Sequence, residues 1–304
     1  MNLKPYAYPK ESLWLRSSLW VLAVAIMLAA VVYQRTTGPT HPRKGEFESA
    51  ARTYDYKLIR SDWSEKTNEA ARVVLPDPGF GAELHWKRFR TPDAFAAQRF
   101  QSETLDGKPV LVGLLPAQPS AGKLEYFITM DSPEGSIRIP DVTEDNIVIR
   151  FKDHVPATIL IPHILLMFFS VLIGMRAGLA AILAPSGMRR WAWVALAGMT
   201  VGGMVLGPIV QKYAFGDYWT GWPFGGDWTD NKMLFMWLSW VFATSIIGFR
   251  PRRRDGISRT AVVLAALVMT SVYLIPHSMG GSELNYEAVD EGIDPAEAIR
   301  TGKR

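Results

Sequence analysis

Apolar and polar positions follow one another in long blocks along the chain, and the apolar blocks predict five membrane-spanning helices. The blocks cover residues 15–33, 157–172, 191–210, 233–249 and 260–275, and the second block can be extended to residue 175. None of them carries a charged side chain in its central stretch. A helix of about 20 apolar residues spans the hydrocarbon core of a bilayer. The pattern therefore favours a membrane protein with five crossings.

The first apolar block begins like a signal peptide, because Lys4, Lys10 and Arg16 precede the apolar run. However, the run is long, and residues 33–44 contain no convincing small-x-small cleavage site. We therefore interpret this block as an uncleaved anchor.

Residues 70–152 show the short-period apolar alternation that is typical of β-strands. Six runs rich in Val, Ile, Leu, Tyr and Phe are separated by turn signals such as Pro-Glu-Gly and Ser-Ala-Gly. This spacing indicates an antiparallel β-sandwich of the immunoglobulin or fibronectin type with about six or seven strands. The predicted fold class is an α+β membrane protein, with this extracytoplasmic sandwich inserted between helices 1 and 2. Residues 53–68 receive no assignment.

Basic residues set the predicted orientation, because Lys and Arg accumulate in cytoplasmic loops. The connection 250–259 holds five arginines, and the connection after the second block holds Arg176, Arg189 and Arg190. The connection 211–232 holds only two lysines. We therefore predict a multi-pass protein of the bacterial inner (cytoplasmic) membrane, with a cytoplasmic N-terminus and a periplasmic C-terminus.

This arrangement divides the chain into four regions. They are residues 1–34 (cytoplasmic N-terminus and first helix), 35–155 (extracytoplasmic β-sandwich), 156–277 (four-helix transmembrane domain with a Trp-rich outer loop at 213–232) and 278–304 (acidic extracytoplasmic tail). In the third predicted helix, the pairs Gly198/Gly202 and Gly203/Gly207 have the small-residue spacing that allows close contact between helices.

The tetrapeptide Leu-Ile-Pro-His occurs twice and ends at His163 and at His277. The predicted topology brings both copies to the outer face. An ionisable residue within a span is a candidate functional residue, and imidazole suits haem iron, copper or zinc. A structural role is the alternative. Pro162 and Pro276 each remove a helix hydrogen bond, and the following histidine can donate to a carbonyl freed in this way or to a partner helix.

The loop before the fourth predicted helix is unusually aromatic. Residues 215–232 contain three Trp, one Tyr, two Phe, three Asp and four Gly. Trp and Tyr favour the membrane interface, which is one interpretation of the loop. The glycines allow a tightly folded loop, which is the other. We expect Asp230 to cap the helix that comes next, whereas Asp217 and Asp227 have no evident structural use.

Part of this loop resembles a known family. Phe215, Gly216, Tyr218 and Trp219 match the aromatic-Gly-x-Tyr-Trp run in the Trp-rich periplasmic loop of the haem-handling cytochrome c assembly membrane proteins. In that family, two histidines on flanking helices are axial haem ligands, so the resemblance implies this role for the two Leu-Ile-Pro-His histidines.

The match with that family is incomplete. Trp222 is displaced by one residue, and Asp227 lies further along the chain than the Trp-Asp pair of the family. The number of predicted helices is low, and the family pattern contains no outer β domain.

Composition excludes several kinds of chemistry. The chain has no Cys, so disulfides, thiolate metal sites and Cys nucleophiles are excluded. The net charge of +4 is modest. The basic residues of the chain cluster in short juxtamembrane loops, so we expect no nucleic-acid partner. No motif names a reaction, and no inverted repeat indicates a transporter.

We therefore expect a non-catalytic binding or accessory protein of the inner membrane, whose partners are the lipid bilayer and a membrane or periplasmic protein. The alternative is a haem-binding, haem-handling or quinone-linked electron-transfer protein. The cofactor is not identified by the sequence, and haem b is the leading candidate. The candidate binding residues are His163, His277, Tyr218, Trp219, Trp222 and Asp227, with the two histidines as metal ligands.

Overall fold

A computed structural model describes residues 12–49, 52–249, 255–276 and 280–300. The chain divides into two compact units. The helical unit contains Met1–Gly38, Val155–Lys212 and Tyr218–Gly281, and the β unit contains Pro39–His154, Tyr213–Asp217 and Ser282–Arg304. Each unit is thus built from three separate stretches of sequence.

Long helices form the helical unit. They are α1 (Leu13–Thr37), α2 (Ala157–Leu183), α3 (Met188–Met199), α5 (Trp228–Ile247) and α6 (Asp255–Leu274). A 3-10 turn at Pro185–Gly187 precedes α3, and a π-helical segment at Thr200–Leu206 joins α3 to α4 (Gly207–Phe215). Residues from Pro185 to Phe215 therefore form one continuous helical rod.

Among the described residues, four helical stretches are long and apolar enough to cross a membrane, so the count differs from the five predicted. They are Leu13–Thr37, Ala157–Leu183, Pro185–Phe215 and Asp255–Leu274. The predicted span 233–249 overlaps α5, which begins earlier and ends at Ile247. The first turns of α5 include Asp230 and Lys232, and these polar residues lower its mean hydropathy.

The second predicted span is longer than its apolar block suggested. Helix α2 continues to Leu183, so Arg176 lies inside the helix and is 1% exposed. The prediction that Arg176 belongs to the following loop is wrong. The guanidinium lies 5.6 Å from the centre of the Trp20 ring of α1, and a cation over an indole face is attracted by its quadrupole. This contact with α1 helps to stabilise the buried guanidinium of Arg176.

Hydrogen bonds at one end of the helical unit join the start of α3 to the end of α5. The Arg189 side chain donates to the carbonyls of Ile247 and Gly248, and Trp193 Nε1 donates to Gly248 O at 3.2 Å. These carbonyls belong to the end of a helix, where no intrahelical donor remains.

The same end of the unit also contains the start of α6 and the end of α2. Arg259 donates to the carbonyls of Ala181 at 2.6 Å and Ile182 at 2.7 Å. Arginine side chains therefore close this end, which we call the arginine end.

The opposite end joins the start of α5 to the end of α6. Lys232 Nζ donates to Ile275 O at 3.2 Å and to Pro276 O at 2.7 Å. Gln34 Nε2, near the end of α1, donates to Tyr273 O at 2.9 Å. Helix α5 therefore runs antiparallel to α3 and α6 and extends from one end of the unit to the other.

Glycines allow the predicted close contact of the rod Pro185–Phe215 with the neighbouring helices. A Cβ added to Gly202 would lie 2.8 Å from Cβ of Leu166 on α2, and one added to Gly198 would collide with the Ser170 hydroxyl. Gly203 meets Met233 of α5 in the same way. Gly207 is different, because a Cβ there would make an ordinary 3.7 Å contact with His163.

Between residues 43 and 152, the described part of the β unit contains eleven strands. They are β1 (Arg43–Ser49), β2 (Arg52–Leu58), β3 (Ser61–Trp63), β4 (Ala70–Pro76), β5 (Ala82–Arg88), β6 (Ala96–Arg99), β7 (Gln101–Leu105), β8 (Lys108–Pro116), β9 (Lys123–Ser132), β10 (Gly135–Ile139) and β11 (Ile147–Lys152). The six predicted runs correspond to β4, β5 and β8–β11. The unassigned residues 53–68 form most of β2 and all of β3.

Two sheets of the β unit share one hydrophobic core. The larger has the order β3-β11-β9-β5-β6 with β10 on β9, and the smaller has the order β4-β8-β7; β1 and β2 form a separate hairpin. Alternate side chains of both sheets are buried together, among them Leu84, Ile128, Val73 and Leu115. Strands β3 and β11 pair in parallel. The immunoglobulin or fibronectin assignment stays a prediction.

The C-terminal segment packs against the β unit. It comprises β12 (Glu283–Leu284), α7 (Tyr286–Asp290) and β13 (Ile299–Arg300). The Tyr286 hydroxyl accepts from Lys123 N at 2.9 Å and lies 3.0 Å from Lys123 O and 3.1 Å from Gln118 Oε1. The region predicted as an acidic tail is thus bound along the start of β9.

Opposite charges reinforce this contact. Glu283 pairs with Lys123 at 2.6 Å and with Arg90 at 3.0 Å, and Asp290 pairs with Arg88 at 2.7 Å. Burial lowers the pKa of Lys123, and the nearby Glu283 opposes that change. Hydrogen bonds from Arg88 lower the pKa of Asp290. The stabilisation from Asp290 is therefore complete above the pKa of an Asp in the unfolded chain, and disappears as the pH falls through the lower native value.

We predict that Glu283→Gln loosens the C-terminal segment. The substitution leaves the ammonium of Lys123, a mostly buried side chain, without its carboxylate, and breaking a buried ion pair costs about 3 kcal/mol or more. Limited proteolysis of the full-length protein in detergent should release a C-terminal fragment earlier than in the wild type. Glu287→Gln is the matched control, because Glu287 is exposed on α7. Equal resistance of the two variants would contradict the prediction.

Candidate functional site

The loop end of the helical unit holds most of the candidate residues. It is formed by the loop 218–227, the start of α5 and the end of α6. Asp227, not Asp230, caps α5: its Oδ1 accepts from Thr229 N at 2.7 Å and from Asp230 N at 3.4 Å. The predicted cap was therefore placed three residues too late. Asp227 is 2% exposed, so its carboxylate is committed to the helix start.

Asp230 holds the loop instead. Its Oδ2 accepts from Thr220 N at 2.7 Å and from Gly221 N at 3.0 Å. The Thr220 hydroxyl lies 3.1 Å from Asp227 Oδ2 and accepts from Gln211 Nε2 at 2.8 Å. These four side chains are all buried. A buried carboxylate is tolerated where hydrogen bonds replace its water, and here the loop backbone supplies them.

Further contacts give the loop a defined shape. Trp222 N donates to Asn231 Oδ1 at 2.7 Å, and Trp219 Nε1 donates to Trp222 O at 3.1 Å. Gly221 is required by close approach, because a Cβ there would lie 2.6 Å from Asp230 Cβ. The folded-loop interpretation of the glycine-rich sequence is therefore confirmed at Gly221.

Lys232 is a residue of this region that the sequence analysis did not single out. It is 6% exposed, and its ammonium binds the carbonyls of Ile275 and Pro276, just after the end of α6. A cation at a helix C-terminus is favoured by the helix dipole and by the unpaired carbonyls. The available signal was that Lys232 directly precedes the predicted span 233–249 and Pro276 directly follows the predicted span 260–275.

His163 lies on α2 and faces the π-helical segment. Its Nδ1 is 2.8 Å from Gly202 O. A carbonyl can only accept, so Nδ1 carries the proton, and in the neutral ring Nε2 keeps its lone pair. The contact fits the structural alternative in which the histidine donates to a partner helix, because Gly202 belongs to the segment Thr200–Leu206 and not to α2. It also fixes the tautomer that metal-bound histidines often have.

The remaining candidates differ in their surroundings. His277 lies outside the described residues. Tyr218 and Trp222 are 57% and 68% exposed, whereas Trp219 is partly buried. Among the described residues, no group of three or more His, Asp or Glu side chains is placed to hold a metal ion. Of the six candidates, Asp227 has a clear structural role, and Tyr218 and Trp222 present their rings outward.

The β unit contains a cleft of about 420 Å³ beside strands β5 and β6. Its lining includes Trp86, Lys87, Arg88, Asp93 and Gln118. Both cations already have partners: Lys87 pairs with Glu125 at 3.1 Å, and Arg88 pairs with Asp93 at 2.6 Å. Hydrogen bonds from Arg88 lower the pKa of Asp93. The cleft therefore combines an indole ring with charged side chains that are already paired.

We predict that Asp230→Ala opens the loop. Two backbone amides, of Thr220 and Gly221, lose their acceptor, and each buried unsatisfied donor costs about 1–3 kcal/mol. Chymotrypsin should then cut within residues 218–228 of the full-length protein much faster than in the wild type. Asp217→Ala provides the control, since Asp217 is a partly exposed carboxylate nearby. Unchanged resistance of Asp230→Ala would show that this carboxylate does not hold the loop.

Comparison with known proteins adds no family to these observations: no model of a protein family matches the sequence, and no curated protein sequence matches it. The resemblance of the aromatic loop to the cytochrome c assembly proteins therefore stays a prediction. Any functional conclusion rests on the local geometry of the two units.

Proposed function

We propose that the chain is a multi-pass protein of the bacterial inner membrane that crosses the bilayer five times. In this topology the N-terminus is cytoplasmic, and the β unit and the C-terminus are periplasmic. The protein acts as a binding or accessory subunit that presents the β unit to a membrane or periplasmic partner.

The packing of the C-terminal segment on the β unit carries this proposal. Strands β1–β11 precede α2, whereas β12, α7 and β13 come after α6, yet both groups belong to one unit. They must therefore lie on the same side of the membrane, and the chain between them must cross it an even number of times. Helix α2, the rod Pro185–Phe215 and α6 give only three crossings. Crossing by α5 makes four, and α1 makes five in all.

The geometry of α5 supports the same conclusion. Its start binds the end of α6 through Lys232, and its end binds the start of α3 through Arg189. A helix of 20 residues is about 30 Å long, the thickness of the hydrocarbon core. The lower hydropathy of α5 arises in its first turns, where the polar side chains are buried by the loop and by α6. The arginine-rich connections favour the cytoplasm for the opposite end.

Single cysteines test the topology, because the chain has none of its own. We expect a membrane-impermeant maleimide to label Ser136→Cys on β10 and Glu287→Cys on α7 in intact spheroplasts. Ser186→Cys, beside the arginine end, should react only after permeabilisation. All three side chains are exposed. Protection of Glu287→Cys while Ser136→Cys is labelled would exclude an even number of intervening crossings.

The accessory role requires a partner protein, and we propose the cleft beside β5 and β6 as its binding surface. Ala94→Cys lies in the cleft lining, and Ser136→Cys lies outside it. In intact cells, we expect a cysteine-directed crosslinker to give one discrete heterologous adduct from Ala94→Cys, and none from Ser136→Cys. Absence of any adduct from the cleft position would contradict an accessory role through this surface.

Haem binding is the second candidate, and the His163 contact favours it. With Nδ1 donating to Gly202 O, Nε2 of His163 is available as an axial ligand. Bound haem would supply electron-transfer or haem-delivery chemistry at the periplasmic face. The chain would contribute the histidine and its fixed tautomer.

Absorbance of protein purified from haem-replete cells tests this candidate. We expect a Soret band that disappears in His163→Ala and persists in His85→Ala, since His85 is a histidine of β5 whose Nε2 lies 2.8 Å from the Thr129 hydroxyl. A colourless wild-type protein, or a band unaffected by His163→Ala, would exclude His163 as a haem ligand. The five-crossing topology and the accessory role would be unaffected.

A further inference from the structure

Four aromatic rings of the loop end project outward. Tyr218, Trp222, Phe224 and Trp228 are 57%, 68%, 78% and 55% exposed. We call these four residues the aromatic rim. The loop backbone that carries them is held by buried hydrogen bonds, so the rings point outward from a fixed scaffold. Exposed rings in such numbers mark a surface with a specific environment.

The rim bears no exposed carboxylate. The two acidic residues between 218 and 230 are Asp227 and Asp230, and both are buried. Two charged residues border the rim: Asp217, which is partly exposed and precedes Tyr218 in the chain, and Lys212, whose Nζ lies 5.5 Å from the centre of the Tyr218 ring. An aromatic surface with charged residues only at its border matches the chemistry of the phospholipid interface, where rings lie below the phosphates.

The rim continues a stripe along α5. Phe235, Leu238 and Phe242 lie 7, 10 and 14 residues after Trp228, so all four fall on one side of the helix. These three are also exposed, at 58%, 45% and 64%. Large apolar side chains along the middle of a span are exposed to hydrocarbon. Trp228 therefore marks the level at which this hydrocarbon-facing stripe ends.

Distances along the helix agree with this placement. Trp228 lies roughly 10 Å from Phe235 and roughly 20 Å from Phe242 along the axis, at 1.5 Å per residue. The hydrocarbon core is about 30 Å thick. If the Ile247 end of α5 is at one boundary of the core, Trp228 is at the other, within the headgroup region.

We propose that the aromatic rim is a lipid-binding surface that inserts its rings at the boundary between headgroups and acyl chains of the outer leaflet. The rim fixes the depth of the helical unit in the bilayer. This inference requires that the helices span a membrane, as proposed above. It requires neither a protein partner nor haem.

Depth-dependent quenching tests the proposal on the full-length protein. Phe224→Cys and, as a second variant, Trp222→Cys are labelled with an environment-sensitive fluorophore and reconstituted into phosphatidylglycerol–phosphatidylcholine vesicles. Phe242→Cys is the matched control on the same stripe. We expect lipids spin-labelled near the headgroup to quench the rim positions more than lipids labelled near the acyl terminus. The order should be reversed for Phe242→Cys.

Each other outcome overturns the proposal and identifies a cause. Quenching of the rim labels by aqueous iodide but not by lipid means that the rings face water. Protection from both quenchers means that protein covers them, either a second copy or a partner. If Phe242→Cys is quenched by lipid while the rim is not, the membrane topology stands and only the rim proposal fails. If neither is quenched by lipid, the membrane-spanning assignment of α5 fails as well.

Discussion

The organisation of the chain depends on the contact between its C-terminal segment and the β unit. The Tyr286 hydroxyl is fixed to the backbone at Lys123, and Glu283 neutralises the Lys123 ammonium beside it. The segment would gain little from either interaction alone, because an isolated hydrogen bond contributes only about 1 kcal/mol net. Together with the apolar side chains of Leu284 and Ile299, they form a second small core. This contact ties the chain after α6 to strands that precede α2.

Two buried carboxylates organise the loop end in a comparable way. Asp227 and Asp230 spend their acceptor capacity on the start of α5 and on the backbone of the preceding loop, so neither is directed outward. The aromatic side chains of the loop, in contrast, are directed outward. Because the polar groups of this loop are satisfied internally, its outer surface can be almost entirely aromatic without leaving buried donors unpaired. Polar interior and apolar exterior are what a protein surface needs where it meets lipid rather than water.

Local pattern was sufficient to predict much of the fold. The period-two alternation located β4, β5 and β8–β11, and the apolar blocks located the cores of the long helices. Strands β6 and β7 were missed because residues 96–105 have little apolar alternation, and their pairing with β5 and β8 creates the strands. The burial of Arg176 was missed for a related reason, since its environment includes Trp20 on a helix far away in sequence.

The candidate site was predicted less completely than the fold. The composition of the loop and the position of His163 were visible in the sequence, and so was the close-packing role of the glycines in the third helical rod. The exchange of roles between Asp227 and Asp230 was not visible, because it depends on where Thr220 and Gly221 fold back. Lys232 was overlooked because its partners are carbonyls at the end of another helix. Sequence reports residue types and spacing, but hydrogen-bond partners of this kind are set by tertiary structure.

The bond between Gln34 and the Tyr273 carbonyl joins the first long helix to the last, across 239 positions of sequence. Buried Ala23 and Ala30 of α1 belong to the same core as Met269 and Val262 of α6. During biosynthesis α1 leaves the ribosome first and must wait in the translocon or the lipid until its final neighbour arrives. A nascent chain that stops before α6 leaves the Gln34 amide without the Tyr273 carbonyl that it binds in the helical unit. The packing of α1 is therefore complete only after the last long helix has been synthesised.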